Sequence, residues 1–146
     1  MIYFDSSALV KRYLREEGTE AVKSILGTSE EVSTSKLTYP EILSAFMRKC
    51  RAREIEKRPF QTAVDQFEDD WKHMLVIEFH DQLLDFIKRV MERYPLKAAD
   101  SVHLSSALWL GEAAKENVTF VTSDINLLKA AQAEKLKAIN PLLRGP

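Results

Sequence analysis

Four acidic residues stand where a chain of alternating strands and helices would gather them. Asp5 ends the apolar run Met1 to Phe4, and Asp124 follows the run Val118 to Val121 after Thr122 and Ser123. Glu41 lies three residues after Thr38, and Asp100 opens a stretch with apolar residues at helical spacing. Carboxylates brought together repel, and in a low-dielectric cleft some take up protons unless a cation compensates them. With oxygen ligands and no Cys or His cluster, Mg²⁺ or Mn²⁺ is favoured over Zn²⁺. Such a cation completes its shell with waters and phosphate oxygens, so the chemistry expected is hydrolysis at phosphorus by activated water, without a nucleophilic side chain. Each acid alone also has a plainer use. Asp5 and Asp124 can cap helices, Glu41 can close a capping box with Thr38, and Asp100 can be an ordinary surface acid.

The elements that would position these acids follow from periodicity. Met1 to Phe4 reads as a buried strand that delivers Asp5 to its C-terminal end. Leu9, Val10, Tyr13 and Leu14 continue as one helix, Gly18 and Thr19 close it and cap the next over Glu20 to Leu26, and Glu31 to Ser35 is strand-like. Thr38 caps a helix whose first turn holds Pro40 and Glu41 and whose apolar face is Ile42, Leu43, Phe46 and Met47. The helical pattern breaks near Arg58 and Pro59 and resumes with Phe60, Val64, Phe67 and Trp71, predicting a helical hairpin. Met74 to Ile77 is a short strand, His80 to Tyr94 a helix, and the stretch from Ala98 another helix facing the core with Val102, Leu104, Ala107 and Leu108. The strand Val118 to Val121, a helix over Asn126 to Leu136 and a strand at Lys137 to Ile139 complete the chain. Short strands alternating with helices predict an α/β fold with a mostly parallel sheet. Its ligand crevice then lies beyond the carboxyl ends of the strands, where Asp5 and Asp124 fall.

Composition narrows the function classes. The chain has 146 residues, 45% hydrophobic and 29% charged, and a net charge of −1, which predicts one globular domain over residues 1–146. The longest run without Asp, Glu, Lys or Arg is Ser101 to Gly111, far below the ~20 residues that span a bilayer. The lone Cys50 cannot form an internal disulfide, and no basic leader precedes the first apolar run, so a reducing, cytoplasmic setting without membrane attachment is expected. Near-neutral charge argues against holding nucleic acid by bulk electrostatics, and any such partner must be gripped locally. Arg48, Lys49, Arg51, Arg53, Lys57 and Arg58 form the candidate grip, with a solvated helix end as the plainer reading. His103, one helical turn after Asp100, is a candidate general base, although lone histidines more often pack or hydrogen-bond. Trp71 and Trp109, at helical spacing among Phe67 and Leu108, are expected in the core or an interface rather than stacked on bases.

Four strings, IYFDSSALVKRYLREEG, TYPEILSAFMRK, LKAADSVHLSSA and FVTSD, occur in an order that resembles the PIN-domain ribonucleases, especially the VapC-type toxins. The resemblance is weakest between Arg51 and Leu75. It implies a three-layer α/β/α fold with about five parallel strands and an endoribonuclease that cuts single-stranded or loop RNA with Mg²⁺ or Mn²⁺, leaving a 5′-phosphate and a 3′-hydroxyl. Position by position it assigns Asp5, Glu41, Asp100 and Asp124 as the catalytic and metal-binding acids, Asp5 and Asp100 foremost for direct contact. Ser7 and Thr122 become the hydroxyls that order them. It also implies a VapB-type antitoxin whose C-terminal tail lies across the site, and a toxin homodimer. Leu127 stands where many members have an aromatic residue, and no glycine occupies the neighbourhood of Glu134. A PIN endonuclease of RNA processing without an antitoxin stays open. A phosphoacceptor receiver module would need an acidic pair after the first strand and a Lys after the last, whereas Asp5 is followed by two serines and the last strand leads to Asn140 and Pro141. A non-catalytic RNA-binding module would give the four acids no purpose.

Overall fold

A computed structural model describes residues 1–29 and 31–143; the expected domain over 1–146 thus includes Glu30 and residues 144–146, which lie outside the described residues. In chain order the elements are β1 (Ile2–Phe4), α1 (Ser6–Leu9), a 3₁₀ turn (Val10–Arg12), α2 (Thr19–Gly27), β2 (Val32–Ser35), α3 (Thr38–Arg51), α4 (Lys57–Trp71), β3 (Leu75–Ile77), α5 (Asp81–Arg93), α6 (Ala98–Ala114), β4 (Thr119–Val121), α7 (Ile125–Ala133) and β5 (Lys137–Ile139). The five strands form one sheet in the order β3-β2-β1-β4-β5, and every pairing is parallel.

Strand alternation splits the core into two layers. Ile2, Phe4 and Val121 face one side with Leu9, Val22, Ile42, Phe46 and Phe67, while Tyr3 and Phe120 face the other with Val90, Leu104, Leu110 and Leu127. Helices therefore cover both faces, as a parallel sheet requires. The polar strand β2 is buried because its hydroxyls serve its neighbour: Ser33 Oγ donates to Ile2 O at 2.8 Å and Thr34 Oγ1 to Phe4 O at 2.7 Å. The charge-free run Ser101 to Gly111 is the middle of α6, whose Ser101, His103, Leu104, Ser105, Ser106 and Ala107 are all buried. Among the described residues no helix is long and apolar enough to cross a membrane.

Several local expectations are corrected. Thr38 is the first residue of α3 rather than its cap. The cap position is Leu37, without a side-chain cap bond, and Thr38 Oγ1 instead meets Thr34 Oγ1 at 2.7 Å. The capping box is absent because Thr38 is fully buried against β2 and Glu41 is engaged elsewhere. Pro59 does not break a helix. The break lies earlier, between Arg51 and Lys57, and Pro59 sits in the first turn of α4, where no intrahelical donor is missed. The first helix is one short α-helical turn continued as 3₁₀, and Gly18, at φ 92°, rather than Thr19, precedes α2.

Candidate active site

The strand order reverses direction between β1 and β4, and ligand crevices in open parallel sheets form at such a point. Register places the two strand ends side by side. Phe4 pairs with Val121, so the next residues, Asp5 and Thr122, are neighbours across the switch point. Asp5 is 2% exposed and accepts from Thr122 Oγ1 at 2.7 Å, from Ser7 Oγ at 2.8 Å on both oxygens, and from Ala8 N at 3.0 Å. The Ser7 and Thr122 hydroxyls are themselves oriented, because Ser7 Oγ accepts Ser123 N–H and Thr122 Oγ1 accepts Asp124 N–H, both at 3.0 Å. Each hydroxyl has a single proton, and both point it at Asp5. Burial nevertheless raises the Asp5 carboxyl above its ordinary range, against the lowering effects of His103 and of these hydrogen bonds.

The other acids come from helix starts. Asp124 is the N-cap of α7 and accepts Leu127 N–H at 2.8 Å. Asp100 and Glu41 lie in the first turns of α6 and α3. Burial raises the Asp100 carboxyl, and the nearby charges of Asp124, Asp5 and Glu41 push the same way while His103 opposes them. Electrostatically, then, the four acids form one group. The plain and the chemical readings of Asp5 and Asp124 are both true: each caps a helix and each belongs to the cluster.

Among the described residues no three His, Cys, Asp or Glu side chains are gathered closely enough to enclose a metal ion. Asp5, Asp124 and Glu41 are each turned toward a donor of the protein. The donor chemistry, carboxylate and hydroxyl oxygens with mutual repulsion still expressed at Asp100, fits a hard divalent cation.

The structure assigns His103 a partner on each ring nitrogen: Nε2 meets Glu41 Oε1 at 2.6 Å and Nδ1 meets the Tyr3 hydroxyl at 2.9 Å. The sequence reading missed Tyr3. Strand alternation could have found it, since Tyr3 is the one residue of β1 that points to the layer holding α6.

Beside the acids runs a groove of about 440 Å³ lined by Ser6, Ser7, Pro40, Glu41, Ser44 and Arg48. Of the candidate basic grip, only Arg48 lines it. Lys49 pairs with Glu54 at 3.4 Å, Arg51 is exposed at the last residue of α3, and Arg53 lies beyond that end with φ 57°. Glu41, Ser44 and Arg48 share one face of α3, whereas Lys49 and Arg51 lie off that face near its end, and Arg53, Lys57 and Arg58 lie in the following loop and the first turn of α4. Trp71 packs on Tyr39 and Phe67, and Trp109 packs edge-on against His80. Leu127 is fully buried, and Glu134 accepts the Tyr94 hydroxyl at 2.9 Å.

Comparison with known proteins follows the same lines. A family model described as the PIN domain matches residues 2–133. Ribonuclease VapC45 and Ribonuclease VapC49 of Mycobacterium tuberculosis are each 28% identical over 112 residues, covering 77% of this chain and 78% of the relative. Among solved structures, FitAcB from Neisseria gonorrhoeae superposes with a TM-score of 0.66 at 16% identity, covering 97% of this chain and 98% of that one. VapBC2 from Rickettsia felis, bound to a DNA fragment from its promoter, gives 0.63 at 16% identity over 96% and 98%.

Proposed function

The chain belongs to the PIN-domain family, and on that premise we propose that it is a divalent-metal-dependent endoribonuclease, the toxin of a VapBC-type pair. The observation that carries the reading is the group of four acids at the switch point of the sheet, whose repulsion is still felt at Asp100. The likeness to relatives named Ribonuclease VapC supports the substrate class. Asp5 and Asp100, with Asp124 and Glu41, would hold Mg²⁺ or Mn²⁺, which supplies charge compensation, water activation and stabilisation of a phosphodiester oxyanion.

The protein's own groups do the rest. Ser7 and Thr122 fix the rotation of Asp5, so that carboxylate need not reorganise as charge develops. Arg48 lines the groove beside Glu41 and is placed to pair with a phosphate of the bound strand, which a nearly neutral protein needs locally. Water adds to phosphorus, the P–O3′ bond breaks, and the leaving 3′-oxygen takes up a proton. The products are a 5′-phosphate and a 3′-hydroxyl. A VapB-type antitoxin with its C-terminal tail across the acids, a toxin homodimer and a cytoplasmic setting belong to the same proposal.

The test is cleavage of RNA by purified protein in Mn²⁺ or Mg²⁺, with the new 5′ ends mapped. Asp5→Asn and Asp100→Asn should lose activity while melting cooperatively. Near-normal cleavage by both variants would remove the assignment. Co-purification of a small partner encoded beside the gene distinguishes a toxin from a PIN endonuclease of RNA processing.

A further inference from the structure

Among the described residues, Glu41 is the only one of the four acids with a hydrogen bond to another ionisable side chain. That partner, His103, is 1% exposed, and behind it lies Tyr3, fully buried and stacked on Phe120 at 5.4 Å with an interplanar angle of 6°. The three side chains form one line from the core to the groove: Tyr3 hydroxyl, His103 Nδ1 at 2.9 Å, His103 Nε2, Glu41 Oε1 at 2.6 Å. Glu41 Oε2 has no hydrogen-bond partner among the described residues, and Glu41 lines the groove beside Ser7.

The geometry fixes one hydrogen of this line. An ionised Glu41 only accepts, so the ring nitrogen facing it must carry the hydrogen. Behind the ring Nδ1 meets the Tyr3 hydroxyl, so the imidazole is held at both nitrogens.

We infer that Tyr3 and His103 are positioning residues for Glu41: Tyr3 anchors the His103 ring from the core side, and His103 Nε2–H fixes one carboxylate oxygen so that the other is presented to the groove. His103 is then a clamp and not a general base. Its Nε2 is already spent on Glu41, and Nδ1 faces the core, out of reach of any substrate in the groove. The tyrosine contributes through a hydroxyl that touches neither groove nor substrate, a role that charge patterns cannot announce. That this alignment serves metal and RNA rests on the proposed nuclease function; the hydrogen-bond line itself does not.

The test therefore has an arm that needs no activity. In the full chain, imidazole ¹⁵N spectra should show a hydrogen on His103 Nε2 in one ring state, and Tyr3→Phe, which keeps the stacked ring, should abolish that single state. Mn²⁺ affinity, titrated by electron paramagnetic resonance, should fall about 10- to 100-fold in Tyr3→Phe and in His103→Leu, the range for removing a partner that orients a ligand. His103→Gln, which can still donate to Glu41, should recover most of that loss. In cleavage assays the same variants should lower kcat with KM nearly unchanged. A His103 Nε2 without a hydrogen in the native protein, or unaltered Mn²⁺ affinity in folded Tyr3→Phe, overturns the inference. If His103→Leu fails to fold, Tyr3→Phe decides alone. Should the native protein cut no RNA while the Nε2 and Mn²⁺ results hold, the nuclease reading falls and the positioning role stands.

Discussion

Asp5 is both a helix cap and a candidate catalytic acid, and two substitutions at this position separate the roles. Asp5→Ala removes the acceptor for Ala8 N–H, Ser7 Oγ–H and Thr122 Oγ1–H. Loss of an N-cap costs about 1 kcal/mol, and each orphaned hydroxyl donor about 1 kcal/mol more. Asp5→Asn keeps the cap, since Asn serves as well as Asp there, and retains one oxygen for the hydroxyls, so it forfeits about one hydrogen bond. Both variants escape the penalty of burying a charge, which the raised carboxyl of Asp5 reveals, so the difference between them is the cleaner quantity. That difference is about 2 kcal/mol, or roughly 4–8 °C in Tm for a domain near 150 residues. Activity should show no such gap: either change removes a ligand charge worth several kcal/mol of stabilisation, hence at least about 100-fold in rate for each. Thermal melting and cleavage of a fluorescent RNA in Mn²⁺ measure the two effects on the same samples. Cleavage by Asp5→Asn within threefold of the native protein would leave Asp5 as a cap and nothing more, and equal melting of Asn and Ala variants would refute the hydrogen-bond accounting.

The raised carboxyls of Asp5 and Asp100 also set a pH dependence, because the folded protein retains protons that the unfolded chain releases at its ordinary value of 3.8. Their effect on stability is absent below that value and unfavourable above the folded-state values, so in a chelator Tm should decline as pH rises through this window, less so in Asp100→Asn. Millimolar Mn²⁺ should reverse the decline at neutral pH in the native protein and do little in Asp100→Asn; no metal effect in either would count against the charge-compensation argument. Arg48→Ala should raise KM and reduce the salt slope of RNA binding by about one unit, and an unaltered slope would remove Arg48 from the RNA path. Gly18→Ala should destabilise by about 1–2 kcal/mol in urea unfolding, because φ is 92° and the added Cβ would lie 3.1 Å from Leu142 Cδ2 and Lys11 Cδ; an unchanged midpoint would contradict that geometry.

Periodicity and element order were legible from the chain alone because they are local. The short strand-like runs Met1 to Phe4 ahead of Asp5 and Val118 to Val121 ahead of Asp124, and helical stripes such as Leu83, Ile87 and Val90, need no partner to be recognised. A mostly parallel sheet followed from their alternation, the count of about five strands from the family resemblance, and the four acids became candidates by their places at strand ends and helix starts together with that resemblance. What a carboxylate does once placed is not local. Thr38 and Glu41 have the spacing of a capping box, yet burial turns Thr38 to Thr34 and His103 draws Glu41 across 62 positions of sequence, and no short-range pattern encodes either choice. The basic run from Arg48 to Arg58 looked like one patch, but it spans the end of α3, a loop and the start of α4, and of its cations Arg48 alone shares the helix face of Glu41 and Ser44 that lines the groove. The same reason hid Tyr3: its apolar neighbours, Ile2 and Phe4, mark a strand, while the hydrogen bond that gives it a purpose spans 100 residues and exists only after β1 and α6 have packed. Sequence determined which groups were available and which elements carried them; packing between elements decided which atom each group faces.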